Sequence, residues 1–332
     1  MISVILPYFN AQGTLRNAIE SILQQSSSKF ELILCNDGSN DRSAEIANSY
    51  ASDKRVKLIK QENQGVAKAH AFAMQYAQGD FIARMDSDDS SHHKRLELQN
   101  DHLLRNSDIG VSATQVSFIS SIYKSSGFQH FVDWNNSLLS TSEIRDNRFI
   151  EMPLVNPSTM IRRELYETHG SYQDNEYPED YDYWLKLMGA GVKIEKLNHK
   201  LLTWNDSATR LSRSSKLYDP ENFYACKAFY LAQELQSLNV RGVVIWGAGS
   251  KSRKRAELLL KHGIQIHAYI DVSKKLIGTN INGIPVYDYQ DNEMIKGFFI
   301  LSYVGNRGVR EKIQTYLQEL DLIAYKNFIL CA

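Results

Sequence analysis

Four short apolar runs, at residues 2–6, 30–35, 56–59 and 81–85, punctuate the start of the chain. Each is too short for a buried helix and is expected as a strand, the run at 81–85 as a buried one. The stretches between them have helical character. Leu15, Ala18, Ile19, Ile22 and Leu23 share one face; a second helix is expected from a cap at Asp41 to about Tyr50; an alanine-rich third opens at Gln64-Gly65 and is expected to close at Gly79. Strand and helix alternating in this way specify a doubly wound α/β sheet.

Such sheets bind ligands beyond the carboxyl ends of their strands. The loops there are 7–10, 36–39, 61–65 and 86–89, all compact and polar. In the first, Phe9 offers a ring that could cover a base, beside Pro7 and Asn10; in the second, Asp37 could accept from a base N–H; Gly65 stands in the third. The fourth packs Asp86, Asp88 and Asp89 into four positions directly behind the strand that ends Arg84-Met85. Like charges so close call for a cation, and Asp86 and Asp88 suit a hard divalent ion, Mn2+ or Mg2+, that keeps positions open for phosphate oxygens. Taken singly, each feature has a structural alternative: Phe9 as a plug at the sheet edge, Asp37 as an Asx turn, the acids as the cap of a helix starting near His92.

Composition narrows the function classes. With 332 residues, 43% of them apolar, the chain can bury cores for two domains. Lys plus Arg balance Asp plus Glu at 38 each, so no global field recruits nucleic acid. Cys35, Cys226 and Cys331 form no C-x-x-C pair, which fits a reducing compartment and argues against zinc. No run approaches a membrane span, and the chain opens into a strand without a basic-then-apolar leader. The expected location is the cytoplasm, with peripheral attachment to the inner face of the cell membrane.

Beyond Arg105 the alternation loosens. Residues 109–122 suggest a more solvent-facing sheet, 158–161 a further strand, and 174–178 a turn that delivers Glu179 and Asp180 to the start of a helix burying Trp184, Leu187 and Met188. The segment 201–213, with one tryptophan, small polar residues and Arg210 and Arg213, suits a flexible arm over a diphosphate. A connecting helix is expected from 218 to 238. The remainder has a strand at 243–246 entering a Gly247-Ala-Gly249 turn, a helix at 255–262, a strand at 264–270 ending at Asp271, strands at 284–286 and 298–303, and a helix at 309–320. This is the pattern of a small Rossmann-like domain, although Ser252 stands where the dinucleotide fingerprint has its third glycine. Gly247, Gly249 and Asp271 mark a second nucleotide site there, set against a purely stabilising or assembly module that would make the protein a homo-oligomer.

Several motifs in order resemble the family-2 inverting glycosyltransferases of GT-A fold: Val-Ile-Leu-Pro-Tyr-Phe-Asn, Ser-Ile-Leu-Gln-Gln-Ser, Phe-Glu-Leu-Ile-Leu-Cys-Asn-Asp-Gly-Ser, Glu-Asn-Gln-Gly-Val-Ala, Gly-Asp-Phe-Ile-Ala-Arg-Met-Asp-Ser-Asp-Asp and Glu179-Asp180-Tyr181-Asp182-Tyr183-Trp184. The resemblance spans residues 2 to about 214. It implies a GT-A type doubly wound mixed sheet over residues 1–215, divided into a nucleotide-sugar half (1–109) and an acceptor half (110–215), then a helical connector (216–239) and the Rossmann-like domain (240–332). It implies a donor site of Pro7, Phe9, Asn10, Asp37, Gly65, Arg84, Asp86, Arg210 and Arg213, a metal on Asp86 and Asp88, and Asp180 as the base with Glu179 beside it. The expected partners are a nucleotide-sugar, UDP-sugar favoured, and a surface-glycan or lipid-linked saccharide. Two positions depart from the family pattern: Asn36 stands where an Asp-Asp pair is usual, and His70-Ala71 where Arg-Asn is frequent. Two other activities are open to such a chain. A sugar nucleotidyltransferase wants a glycine-rich, Arg-containing loop after the first strand, which Pro7-Tyr8-Phe9-Asn10 is not, and an NAD(P)-dependent oxidoreductase would work through the C-terminal domain.

Overall fold

In the computed structural model the four apolar runs form parallel strands: β1 (Ile2–Tyr8), β2 (Phe30–Asp37), β3 (Val56–Gln61) and β4 (Phe81–Arg84). The structure describes residues 1–120, 126–173, 176–206, 210, 213, 215–306 and 308–332. Every residue of β1 is buried, which is why its sequence shows no alternation. Helices α1 (Leu15–Leu23), α2 (Ser43–Asn48) and α3 (Val66–Met74) connect the strands. Helix α1 buries Leu15, Ala18, Ile19 and Ile22; each of its large aliphatic side chains contributes about 2 kcal/mol of burial. Asp41 sits just ahead of α2 and accepts from the N–H groups of Ser43 at 2.9 Å and Gln12 at 3.0 Å.

Gly79 does not cap α3, which ends five residues earlier at Met74. It lies against β1, where an added Cβ would come within 2.6 Å of the Ser3 nitrogen. The glycine therefore answers to close backbone packing rather than to a left-handed cap.

The sheet continues through β5 (Ser90–Ser91), α4 (Arg95–Arg105), β6 (Ile109–Ser120), α5 (Ser126–Ser137), α6 (Thr141–Asn147), β7 (Met160–Arg162), α7 (Arg163–His169), α8 (Glu179–Gly189) and β8 (Lys193–Asp206). Its order is β3-β2-β1-β4-β7-β6-β8-β5, with β7 and β5 antiparallel to their neighbours. The mixed α/β architecture is the one expected. Two local expectations change. The helix expected near His92 starts at Arg95, because Ser90 and Ser91 pair with Thr203 and Leu202 as a short strand. Residues 201–206 are no flexible arm but the end of β8, in register with β6 up to Ser120 opposite Asp206. The far end of the strand expected at 109–122, and Asp174-Asn175, lie outside the described residues.

Arg95 fixes the floor beneath the acidic turn. Its fully buried guanidinium donates to the Arg84 carbonyl at 2.8 Å, the Thr159 carbonyl at 3.2 Å and Gln99 Oε1 at 3.0 Å. Burial holds its proton affinity down to about 10, so it stays charged at neutral pH.

The chain divides into two units, Met1–Ile144 with Pro153–Tyr218, and Arg145–Met152 with Asp219–Ala332. The second unit contains α9 (Pro220–Ser237), β9 (Gly242–Trp246), α10 (Ser250–Ala256), β10 (Gln265–Asp271), β11 (Asn280–Ile281), β12 (Ile284–Asp288), α11 (Asn292–Gly297), β13 (Phe299–Ser302), α12 (Val309–Glu319) and β14 (Phe328–Leu330). Its sheet runs β11-β12-β10-β9-β13-β14, parallel except for β11. The helix expected at 255–262 instead begins at Ser250, directly behind the glycine turn, and gives way to a 3-10 turn over Glu257–His262. Lys227 of α9 is buried within this unit and donates to the carbonyls of Ile150 at 3.0 Å and Cys331 at 2.8 Å. All three cysteines are buried and unbridged.

Candidate active site

The carboxyl ends of β1, β2 and β3 are laced together by side chains from the loops that follow them. Asn10, in a left-handed conformation at φ 48°, takes the Ser39 hydroxyl on its N–H at 3.1 Å, and its Oδ1 accepts from Asn40 N–H at 3.0 Å. Pro7 lies inside β1 opposite Cys35, and Phe9, 47% exposed, stands just past the strand end. Asn36 accepts from Ser39 N–H at 2.8 Å, and its neutral amide avoids a second buried anion beside Asp37.

Asp37 is buried, and its carboxylate is largely committed to the protein. Oδ1 accepts from Gln61 Nε2 at 2.6 Å and Gln64 N–H at 3.0 Å, and Oδ2 from Gly65 N–H at 2.9 Å. A carboxylate has about four lone-pair sites, so one on Oδ2 is left for a base. Asp37 thus also braces the loop into α3, where Gly65 adopts φ 88°, a conformation that a side chain would resist.

At the end of β4, Arg84 is 4% exposed, and its Nε donates to Asp86 Oδ1 at 3.0 Å. Its guanidinium lies 5.1 Å from the centre of the Tyr172 ring. Nη1 is buried and has no hydrogen-bond partner among the described residues. Burial works against the charge of this arginine, but Asp86, Tyr172, Glu179 and Asp180 outweigh it and hold its proton affinity well above the ordinary value. Burial, and then the charge of Asp86, raise the proton affinity of Asp88; Arg210 opposes them. Asp89, 1% exposed, is pushed up further, and only its Oδ1 finds a partner, Asn205 N–H at 2.9 Å. Asn205 Nδ2 donates in turn to the Asp88 carbonyl at 2.8 Å. The end of β8 therefore clips the acidic turn into place.

Among the described residues no three His, Cys, Asp or Glu side chains converge into a metal cage. The donor set instead suits an ion held by two carboxylates, Asp86 and Asp88, and completed by substrate phosphates, the usual arrangement for Mg2+. The mutual repulsion of these acids is the structural observation that favours such an ion.

Glu179 and Asp180 open α8. Glu179 is buried and accepts from the Tyr218 hydroxyl at 2.6 Å; Asp180 Oδ1 accepts from Tyr181 N–H at 2.7 Å. Burial, with the Glu179 charge next, pushes Asp180 from 3.8 up to about 7, and Arg84 opposes the shift. A carboxyl raised in this way holds a proton in the fold that the unfolded chain has already released, so its contribution to stability is present at low pH and is lost as pH climbs through about 7. Asp180→Asn should therefore melt several degrees above the wild type at pH 8, with the gap shrinking toward pH 4. Melting curves displaced equally at every pH would contradict the burial argument.

The two arginines of the 201–213 segment differ. Arg213 makes a two-pronged pair with Asp206, at 2.9 and 2.6 Å, and lies 4.5 Å over Phe128. Arg210 lies 4.2 Å over Trp204 and acts electrostatically on Asp88, Asp89 and Asp206. Arg210 is thus the one directed at the acidic turn, while Arg213 would have to leave Asp206 to meet a phosphate.

In the second unit the glycine turn is closed on itself. Asp271 Oδ2 accepts from Ala248 N–H at 2.8 Å and Oδ1 from Ser273 N–H at 2.8 Å. A Cβ at Gly247, where φ is 113°, would meet Ser252 Oγ at 2.9 Å. The acid expected near a ribose thus also braces the turn, through Ala248 between Gly247 and Gly249.

Four residues with evident parts in this architecture carried no signal in the sequence: Tyr172, Asn205, Asp206 and Tyr218. His70, noticed there only as a departure, is fully buried and lies edge-on to Tyr172 at 4.7 Å. Burial, followed by the nearby Arg84 charge, keeps it neutral. Tyr172 thus has Arg84 on one side and His70 as another neighbour, and the cation beneath the acids comes from β4 rather than from α3.

The family model described as glycosyl transferase family 2 matches residues 3–170. The chain is 30% identical over 240 residues to the putative glycosyltransferase EpsE of Bacillus subtilis, covering 69% of this chain and 83% of that protein. It is 38% identical over 220 residues to the UDP-Glc:alpha-D-GlcNAc-diphosphoundecaprenol beta-1,3-glucosyltransferase WfgD of Escherichia coli, covering 65% and 79% respectively. Among solved structures, S. aureus TarS 1-349 in complex with UDP-GlcNAc superposes with a TM-score of 0.58 at 17% identity, over 79% of this chain and 71% of that one. That likeness shows a shared fold.

Proposed function

The chain belongs to glycosyl transferase family 2 and is a glycosyltransferase, and on that premise we propose that it moves a sugar, with inversion, from a UDP-sugar to a hydroxyl of a surface-glycan or lipid-linked saccharide. The observation that carries this reading is the charge network joining the two acid pairs. Asp86 at the end of β4 and Asp180 at the start of α8 both act on the single buried guanidinium of Arg84. The residues that would receive a donor diphosphate and the carboxylate that would take a proton thus belong to one rigid cluster.

In this mechanism the acceptor oxygen bonds to the anomeric carbon as the bond from that carbon to the phosphate oxygen breaks. The acceptor's proton passes to Asp180, which its raised proton affinity suits for a base near neutral pH. Asp86 and Asp88 would hold Mn2+ or Mg2+, which when bound supplies positive charge to the departing diphosphate. Arg210 would add to that charge, as would Arg213 once released from Asp206. Pro7, Phe9, Asn10, Asp37 and Gly65 would line the base and ribose. The acceptor would meet residues 110–215, and residues 240–332 would form a Rossmann-like accessory domain. No helix among the described residues is long and apolar enough to cross a membrane. Contact with a lipid-linked acceptor would be peripheral, at the cytoplasmic face. The UDP-Glc used by WfgD and the UDP-GlcNAc bound by TarS favour UDP as the nucleotide.

The test is incubation of the full chain with Mn2+ and a panel of UDP- and GDP-sugars, with release of nucleoside diphosphate as the readout. Release from one donor supports the proposal. Silence across the panel, together with reduction of NAD or tight NAD binding, would move the activity to the second unit.

A further inference from the structure

Glu179 and Asp180 are adjacent in sequence and both belong to the first turn of α8, yet neighbouring positions on a helix do not face the same way. Their surroundings separate them further. Glu179 accepts a 2.6 Å hydrogen bond from the Tyr218 hydroxyl, within the short range of charge-assisted bonds. Tyr218 closes the 3-10 turn Lys216–Tyr218 and is the last residue of the first unit. Burial, then the charges of Glu179 and Asp180, push its phenol far above the ordinary range, so it keeps the proton that it donates to Glu179. Among the described residues Asp180 has no comparable side-chain donor; its hydrogen bond comes from the backbone of Tyr181. The groups that bear on Asp180 are Glu179 from its own helix, Arg84 from β4, Asp86 from the turn behind β4, Tyr172 from the segment before α8, and Tyr218.

We infer that Tyr218 is a positioning residue that divides the labour between the two acids: its hydroxyl holds the Glu179 side chain in place and leaves Asp180 to receive the acceptor's proton. This rests on the glycosyl-transfer reading given above. It gives Glu179 a part distinct from the base. It also ties the catalytic helix to the residue at which the chain passes into the second unit.

Two substitutions then move the acid limb of the kcat-against-pH profile in opposite directions. In Tyr218→Phe the Glu179 carboxyl loses the hydroxyl that holds it and is free to share the proton that Asp180 takes, so the last proton leaves the pair at higher pH. The loss of a hydrogen bond to a charged group predicts an upward shift of about one pH unit and a fall in kcat at pH 7 of about tenfold. In Glu179→Gln the negative neighbour that raises Asp180 is gone, so the limb moves down. Tyr218→Phe added to Glu179→Gln shifts it no further. The affinity for UDP in the presence of Mn2+, measured by calorimetry, stays within about twofold throughout, because the bond removed is the one to Glu179.

The full-length protein is used, with melting temperatures recorded for each variant. A Tyr218→Phe variant that keeps the wild-type profile, or that loses UDP affinity and thermal stability together without moving the limb, overturns the inference. Should Tyr218→Phe fold poorly, the downward shift in Glu179→Gln decides alone, and its absence counts against the assignment. Failure of the underlying reading looks different: Asp180→Asn would then transfer sugar as well as the wild type, whatever happens at Tyr218.

Discussion

Asp180→Asn should abolish sugar transfer while leaving the donor bound. An amide keeps the shape of the side chain, and among the described residues Asp180 makes no hydrogen bond to Asp37, Asp86 or Asp88 and bears on Asp86 only through charge, so UDP affinity in Mn2+ should change by less than about threefold. The acceptor hydroxyl, by contrast, loses the group that takes its proton. Positioned general bases contribute about 10²–10⁴ in rate, and a fall in kcat at the upper end, about 10³-fold or more, is expected because no other carboxylate can substitute. Glu179, the nearest, is held by Tyr218. The same substitution removes a charge that burial disfavours, so the variant should be at least as stable as the wild type near pH 8. Loss of activity with stability retained marks a chemical role. Loss of UDP binding in the calorimeter would mark a structural one.

Asp88→Asn should be nearly as damaging, by a different route. Asp88 carries its charge against burial and against Asp86, and a carboxylate kept ionised at such cost is explained by a cation that it serves. The amide should lower turnover at saturating donor by about 10²–10³ and raise the Mn2+ concentration needed for half-activity by an order of magnitude or more. Chelation of the wild type should reproduce the loss, and added Mn2+ should restore the wild type but only weakly the variant. Full turnover in excess chelator would remove the ion from the account. Asp89→Asn makes a useful contrast, since its Oδ1 only accepts the Asn205 N–H and an amide oxygen can do the same.

The part of the fold that could be read from the sequence was the part whose physics is local. Strands β1, β2 and β4 are buried on both faces, so their apolar runs announce themselves. The helix that begins at Glu179 was legible from its acidic first turn and its buried Trp184, Leu187 and Met188. The end of β8 was not. Asn205 and Asp206 look like loop residues, and what makes them strand residues is a partner far away in sequence: Asp89 for Asn205, and Ser120 and Arg213 for Asp206. Strand β14, at three residues, is too short to carry a periodicity. Gly79 was misassigned because a glycine after a helix usually caps it, whereas here the approach of β1 demands it.

The candidate site divides along the same line. The clustering of Asp86, Asp88 and Asp89 is visible in four consecutive positions and needs no fold to be noticed. Tyr218 lies 39 residues from Glu179, and only the folded chain brings its hydroxyl there. Arg84 was legible as a donor-site candidate by resemblance. Its situation between two acid pairs, with a neutral His70 close to the same tyrosine, was not.

The most direct measurement is a crystal structure of the full chain grown with UDP and Mn2+. The account predicts an ion touching Asp86 and Asp88, the diphosphate on that ion, and the uracil between Phe9 and the free lone pair of Asp37. Density for UDP elsewhere, at the Gly247–Gly249 turn for instance, with the acidic turn bare at saturating Mn2+, would contradict it.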